Sequence, residues 1–271
     1  MDLFDPSVAT SWKRFRRRYL RPWRTVRYRD VRVHYKKHLD GGGSWFGQEY
    51  IPFLQARGMP KQQRVFEWCS GPAFIGFSLF AHGLCETLCL ADINDQAVEA
   101  CRRTVRTNRL SDRVSVYQSD NLKSIPASEQ WDLVVGNPPF YPKTHDWEIR
   151  SHDKDWHIHR GFFANVGRHL KPGGVILLQE ANDASAPDAF REMIEQAGMT
   201  TVLIHNSKPG EYSIYYTIWA LCAEARRLPP GLPNPRKRAA GRPLKREILR
   251  ALASGRSEAA QLCSSGSTGS G

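Results

Sequence analysis

Between residues 63 and 221 the chain alternates short, continuous apolar runs with segments whose apolar positions recur every three to four residues. The runs predict strands at RVFEWC from 64, TLCLAD from 87, VSVYQSD from 114, WDLVVG from 131, GVILLQE from 174, TTVLIH from 200 and SIYYTIWAL from 213. The periodic segments predict helices over 74–82, 94–107, 157–170 and 187–197. Punctuation agrees: Asn94 suits an N-cap, Pro187 a first helical turn, and Gly83, Gly173 and Gly198 follow helix ends. Strand–helix alternation of this length argues an α/β, doubly wound, mostly parallel sheet. NSKPGEY, between the last two strands, is too short for a helical crossover, so these strands are expected as an antiparallel pair at one sheet edge.

Charge divides the chain more sharply than hydropathy does. The net charge is +12, yet residues 41–225 hold 17 basic and 21 acidic residues, so the whole excess lies in the two ends. The reading is a basic, aromatic-rich N-terminal arm over 1–45, one folded domain over 46–225, and a basic and then Gly/Ser-rich disordered tail over 226–271. No apolar stretch reaches 18 residues, the opening MDLFDPSVATSW lacks a basic start and an apolar core, and the six cysteines form no C-x-x-C pair. A cytoplasmic protein without integral membrane association is expected.

Candidate chemistry gathers at the strand ends. The first strand ends at Glu67 and turns through Cys69 and Gly71 into a helix, without the G-x-G-x-x-G of dinucleotide binding or the G-K-[ST] of a P-loop. Asp92 closes the second strand, where a carboxylate can take ribose hydroxyls, and Asp120 closes the third. The fourth runs into Asn137-Pro138-Pro139-Phe140, a loop that gives up two backbone donors and cannot extend the sheet. The competing reading of each is plain geometry: a strand-terminating turn for the prolines, and cap or loop carboxylates for the acids. Agreement among four tips favours a site.

These residues resemble the class I S-adenosylmethionine-dependent methyltransferases, in the branch whose N-P-P-[FY] loop methylates planar nitrogens. The resemblance covers about residues 63–222. It implies a seven-stranded Rossmann-like sheet with one antiparallel edge strand, and S-adenosyl-L-methionine as cofactor. It assigns cofactor binding to Glu67, Cys69, Gly71, Asp92, Ile93, Asp120, Asn121 and Asn137, and catalysis to Asn137, Pro138, Pro139 and Phe140. Gly76 extends the loosely matched first motif, and LKPGGVILLQE matches the turn into the fifth strand. Cys69 and Ala73 depart from the family, standing where related sequences carry glycines.

A planar amine has a delocalised lone pair and needs placement more than a strong base. The Asn137 side-chain oxygen and the Pro138 carbonyl can each accept one N–H, turning the lone pair toward a methyl sulfonium, while Phe140 stacks on the flat group. Tyr141, Asp155 and His159 are candidate substrate contacts, the last two also as proton acceptors. The cluster His152, Asp153, Asp155, His157 and His159 has no recognised metal-ligand spacing, so no metal is expected.

The run WKRFRRRYLRPWRTVRYRDVRVHYKKH interleaves Trp12, Phe15, Tyr19, Trp23, Tyr28 and Tyr35 with arginines, as neutralisation of a phosphate backbone and base stacking require. Packing of these aromatics on the domain and binding to a membrane surface are the competing readings. The expected function is therefore N-methylation of a planar nitrogen in a macromolecule, with RNA ahead of DNA. The alternatives are a protein glutamine side chain; a small molecule or peptide, with residues 40–54 closing as a lid; and a non-catalytic nucleic-acid-binding module.

Overall fold

The computed structural model describes residues 22–39, 46–56, 58–142, 152–181, 184–185, 187–206 and 214–221. Nine strands are present among them: β1 (Trp23–Tyr28), β2 (Val31–Lys36), β3 (Gln62–Trp68), β4 (Cys85–Asp92), β5 (Val114–Gln118), β6 (Trp131–Gly136), β7 (Leu170–Ala181), β8 (Met199–Asn206) and β9 (Ile214–Leu221). The α-helices are α1 (Phe46–Ala56), α2 (Phe74–Ala81), α3 (Asp95–Thr107), α4 (His157–Val166) and α5 (Arg191–Gln196).

Strands β3–β9 form one sheet in the order β5-β4-β3-β6-β7-β9-β8. β3 to β7 are mutually parallel, and β9 is antiparallel to both β7 and β8. The antiparallel strand therefore sits one place in from the edge, not at it. The short link makes β8 and β9 neighbours, and β9, the run IYYTIWAL, lies between β7 and β8. The helix expected over 157–170 stops at Val166, with a 3₁₀ turn over Gly167–His169, because β7 already begins at Leu170. The helix expected over 187–197 opens as a 3₁₀ turn over Pro187–Phe190.

Two features were not read from the sequence. β1 and β2 form an antiparallel hairpin packed on α2 and α3, within the segment expected as an arm. Tyr28, Val31, Val33 and Tyr35 are buried in the main core, and Tyr35 meets Phe74 edge to face at 5.2 Å. Reciprocal bonds between the Arg32 backbone and the Asn108 side chain, with the His34 N–H donating to Thr104 Oγ1, fasten the hairpin along α3. Of the arm's aromatics, Tyr28 and Tyr35 thus serve packing; Trp12, Phe15 and Tyr19 lie outside the described residues, as does the tail. The second feature, α1, packs against α2, and its Tyr50 is fully buried. The described part of the expected lid, residues 46–54, is thus helical and packed on the domain.

One face of the sheet is covered by the hairpin, α1, α2 and α3. α2 (FIGFSLFA) is buried on all sides, as its lack of a polar face demands. α3 is amphipathic and capped by Asn94, whose side chain accepts the Gln96 N–H. On the other face α4 and α5 cover a second core, in which Phe66 stacks on Trp131 at 4.0 Å and Trp68 on Phe162 at 3.9 Å. The carboxyl ends of β3–β7 all open on one edge, where parallel α/β sheets bind their ligands.

Candidate active site

The turn from β3 into α2 alternates left-handed residues: Cys69 (φ 51°), Gly71 (φ 51°) and Ala73 (φ 62°). An L-residue held there costs about 1–2 kcal/mol. Cys69 and Ala73 are the two positions singled out as replacing family glycines, so this chain keeps the family turn against local strain. Glu67 is buried beneath the turn, and its Oε2 accepts the Gly76 N–H at 2.7 Å. A Cβ on residue 76 would stand 2.6 Å from that oxygen, so any larger residue there would force the buried Glu67 side chain to shift. Burial pushes the Glu67 carboxyl up to about 8, opposed by the N–H groups of Gly76 and Ile75.

Asp92 ends β4 with both carboxylate oxygens engaged, accepting the N–H of Gly71 at 2.7 Å and of Asn94 at 2.8 Å. Burial raises its pKa above the usual carboxylate value, and the N–H groups of Asn94 and Gly71 pull it back. Each oxygen keeps a second lone pair for a hydroxyl. Ile93, the next residue, is 65% exposed, the large apolar side chain left in water among the described residues. At the tip of β5, Asp120 is exposed and paired with Lys123, while Asn121 donates from Nδ2 to the Ile158 carbonyl at 2.7 Å. The Asn121 Oδ1 is buried without a hydrogen-bond partner.

β6 delivers Asn137 to the same edge. A Cβ on Gly136 would meet the Trp68 carbonyl at 2.7 Å, so glycine lets β6 lie close to β3 just before the loop. The Gly136 carbonyl accepts the Tyr50 hydroxyl at 2.7 Å, which anchors α1 to the start of the N-P-P-F loop. Asn137 and Phe140 are half-buried, and Phe140 lies against Tyr141 with ring centroids 4.6 Å apart. The Asn137 side chain makes no hydrogen bond to another described residue.

The far end of the loop is held by a charged clamp. The Tyr141 carbonyl accepts the Asp153 N–H at 2.8 Å, and the Asp153 carboxylate caps α4 by accepting the N–H groups of Ile158 and His159. His159 is fully buried, its Nδ1 2.6 Å from Asp153 Oδ2 and its Nε2 3.3 Å from Glu180 Oε1. Phe190 stacks on it at 4.4 Å, and Trp68 and Trp156 meet it edge-on. Burial alone would lower this imidazole; the charge of Glu180 and the hydrogen bond to Asp153 outweigh it and hold the pKa up to about 9. His159 is thus enclosed between two carboxylates, an arrangement that favours its protonated form. Asp155 is exposed, with a left-handed backbone whose carbonyl accepts from Arg160. His157 is exposed and turned to Lys154 and Asp153, so the three histidines do not converge.

Asp153 was weighed only as part of a metal cluster, and Tyr50, Gln179 and Glu180 were missed from the sequence. For the last two a signal existed: they end the apolar run of β7 as Asp92 ends β4, and the strand-tip argument was applied to four strands where five carry it.

The profile of the methyltransferase small domain family matches residues 31–215. The chain belongs to that family. Its class I sheet, with the antiparallel strand next to the edge, is the architecture that such a match implies. Among curated relatives, the release factor glutamine methyltransferase of Streptomyces coelicolor is 29% identical over 44% of this chain and 46% of its own length. Ribosomal RNA small subunit methyltransferase C of Shewanella denitrificans is 30% identical over 54% of this chain and 36% of its own. The chain spans about half, or less, of these relatives. The T. thermophilus 16S rRNA N2 G1207 methyltransferase, solved with AdoMet and guanosine, superposes with a TM-score of 0.51 at 17% identity, covering 72% of this chain and 50% of that one. The M. jannaschii tRNA m1G37 methyltransferase gives 0.53 at 14% identity, covering 74% and 57%. At such identities these two share the fold.

The edge fits S-adenosylmethionine on its own chemistry. Asp92 offers lone pairs to a ribose, Ile93 an exposed apolar surface to an adenine, Asp120 a neighbouring carboxylate, and the 69–73 turn a close backbone.

Proposed function

We propose that this chain is an S-adenosylmethionine-dependent N-methyltransferase acting on the amine of a base in RNA. The observation that carries the reading is Asn137: a half-buried carboxamide with no partner among the described residues, fixed at the strand tip beside two prolines and Phe140. When bound, the cofactor supplies a methyl group on a sulfonium and leaves as a neutral thioether. Asn137 Oδ1 and the Pro138 carbonyl accept the two N–H bonds of the amine and turn its lone pair to the methyl carbon. They then hold the positive charge that builds on nitrogen until one proton passes to water. Phe140 stacks on the base. Orientation in a dry site lowers the barrier by several kcal/mol, on the order of what intramolecular alignment achieves.

RNA is favoured by charge. Arg24, Arg27, Arg29 and Arg32 are exposed on the hairpin, and Arg102, Arg106 and Arg109 on or just past α3. Residues 1–21, which carry six further Lys and Arg, join the fold at Pro22, beside Trp23 with Lys36 and Arg103 over its ring. The second reading, a protein glutamine, is supported by the release factor glutamine methyltransferase relative.

The test is incubation of RNA and protein fractions with isotope-labelled cofactor, followed by mass spectrometry of nucleosides and peptides. Label on a base amine is expected, and Asn137→Ala should lower single-turnover transfer about a hundredfold while leaving cofactor affinity unchanged. Label confined to protein overturns the RNA reading; wild-type transfer by Asn137→Ala overturns the role of the loop.

A further inference from the structure

Four strands bring their ends to a common level. Glu67 pairs with Leu90 of β4 and with Val135 of β6, and Val135 pairs with Leu177 of β7. Two residues further along each chain stand Asp92, Cys69, Asn137 and Gln179. Asp92 and Gln179 lie within their strands and by alternation fall on the face on which Leu90 and Leu177 pack; Asn137 follows the last residue of β6, and Cys69, past the end of β3 with φ 51°, turns toward the second core. The row passes from the acid at the ribose position, through the turn, to the loop asparagine. Gln179 is its next member, on the side of Asn137 away from the cofactor residues.

Gln179 is 2% exposed, and neither Oε1 nor Nε2 has a hydrogen-bond partner among the described residues. Buried carboxamides are ordinarily satisfied, and one with both atoms orphaned calls for a ligand. The group offers an acceptor and a donor side by side, so its complement is a planar edge with a donor and an acceptor side by side.

We propose that Gln179 reads the substrate, and that the substrate base is guanine: Oε1 accepts N1–H, Nε2 donates to O6, and the exocyclic N2 lies at Asn137. The inference rests on the proposed methylation of a base amine. With both amine N–H bonds taken by Asn137 and Pro138, the rest of each base decides. Adenine, held by N6, presents only the acceptors N1 and N7 beside it. Cytosine, held by N4, presents the acceptor N3 and a C–H. A carboxamide substrate presents its carbonyl alone. Each leaves Oε1 of Gln179 without a donor, and guanine alone of the three amine-bearing bases satisfies both atoms.

Three measurements test this. In the ligand-free enzyme, Gln179→Leu should melt a few degrees higher, since it replaces an unpartnered buried carboxamide by an apolar group of similar size. With S-adenosylhomocysteine present, calorimetry should show guanosine bound more tightly than adenosine or cytidine by about 5- to 150-fold, the range of a bidentate base contact. Gln179→Leu should abolish that preference, and Gln179→Glu, which accepts from N1–H but cannot donate to O6, should weaken it. With RNA and labelled cofactor, digestion should yield N2-methylguanosine, and Gln179→Leu should lower kcat/KM by the same factor with unchanged cofactor affinity. Equal binding of the three nucleosides, a guanosine preference that survives in Gln179→Leu, or methyl on adenosine or cytidine overturns the proposal. Label on protein alone overturns the parent reading instead, and nucleoside binding, which needs no transfer, separates the two failures.

Discussion

The clamp around His159 makes a quantitative claim about pH. The imidazole is raised from 6.5 to about 9, so its protonated form is favoured by the folded state by about 3 kcal/mol. Because the folded pKa is the higher one, this stability is fully present below pH 6.5 and is lost as pH rises through 9. Integrating the linkage over pH 6.5–8.5 gives a fall of about 2 kcal/mol, a large share of the roughly 5–15 kcal/mol that holds a domain together. Glu67 overlaps this window: raised from 4.5 to about 8, it too favours the protonated form and loses stability as pH rises. His34 acts the other way, since burial lowers its pKa, and its effect is largely complete near pH 6.5. The thiols of Cys69, Cys85, Cys89 and Cys101 are raised by burial, those of Cys85 and Cys89 to about 12, so only the unfolded chain begins to lose these protons toward pH 8.5, adding a small decline at the top of the window.

Replacing Glu67 by glutamine removes the overlapping titration and leaves the clamp. Urea unfolding of Glu67→Gln at half-unit steps from pH 6.5 to 8.5 should therefore still show a decline of about 2 kcal/mol, and the wild type a steeper one. Addition of His159→Gln to that background should flatten the curve, whatever it does to absolute stability. A Glu67→Gln profile that is level or rising over this window refutes the buried cation.

Three further outcomes follow from single contacts. Gly76→Ala places a methyl 2.6 Å from Glu67 Oε2 and 3.0 Å from Leu88 Cδ1, and should cost about 2–3 kcal/mol in urea unfolding; a loss below about 0.5 kcal/mol would show that the turn relaxes freely. Tyr50→Phe orphans the buried Gly136 carbonyl and should cost about 1–2 kcal/mol, with turnover reduced and cofactor affinity kept, as separate unfolding and titration experiments can show. Asp92→Ala removes the acceptor of two turn N–H groups as well as the ribose contacts, and should weaken S-adenosylhomocysteine binding at least about tenfold by calorimetry; unchanged affinity would take Asp92 out of the cofactor site.

Six of the seven strands of the main sheet were legible as apolar runs closed by Gly, Asn or Asp, a signature that buried strands leave, and β9 by its apolar run alone. Asp92 and Asn137 were legible for the same reason, since a polar residue ending a buried run has few structural excuses. The hairpin was not. VRVHYK does alternate, but its arginine and lysine drew attention to charge, and α2 and α3 together supply the surface that makes Val31, Val33 and Tyr35 a core face. The setting of His159 was not legible because it is nonlocal: nothing near it in sequence shows that Glu180, 21 residues on, closes over its Nε2. The order of β8 and β9 was half legible, the short link fixing the pair but not which member bonds to β7.

What remains unsatisfied in the fold locates its function better than any motif. At the amino-terminal end of the sheet the polar groups close on one another: Arg64 pairs with Glu129, which also accepts from Tyr117 and Trp131, and Asp132 accepts from the Arg64 backbone and from Lys171. At the carboxyl-terminal end the accounting fails repeatedly. Trp68 Nε1, Asn121 Oδ1, both amide atoms of Gln179 and Glu180 Oε2 are buried without hydrogen-bond partners, and Cys69 and Ala73 hold strained backbone a few residues away. A few other orphaned atoms, in His34, Ser78 and Arg103, lie between the hairpin and the helices, where no strand tip is near. A sequence selected only for stability would remove such defects by apolar substitution, and one gathered set of them at a single sheet edge is the mark of a surface completed by its ligands. On that argument the candidate active site extends over the five strand tips and not the proline loop alone.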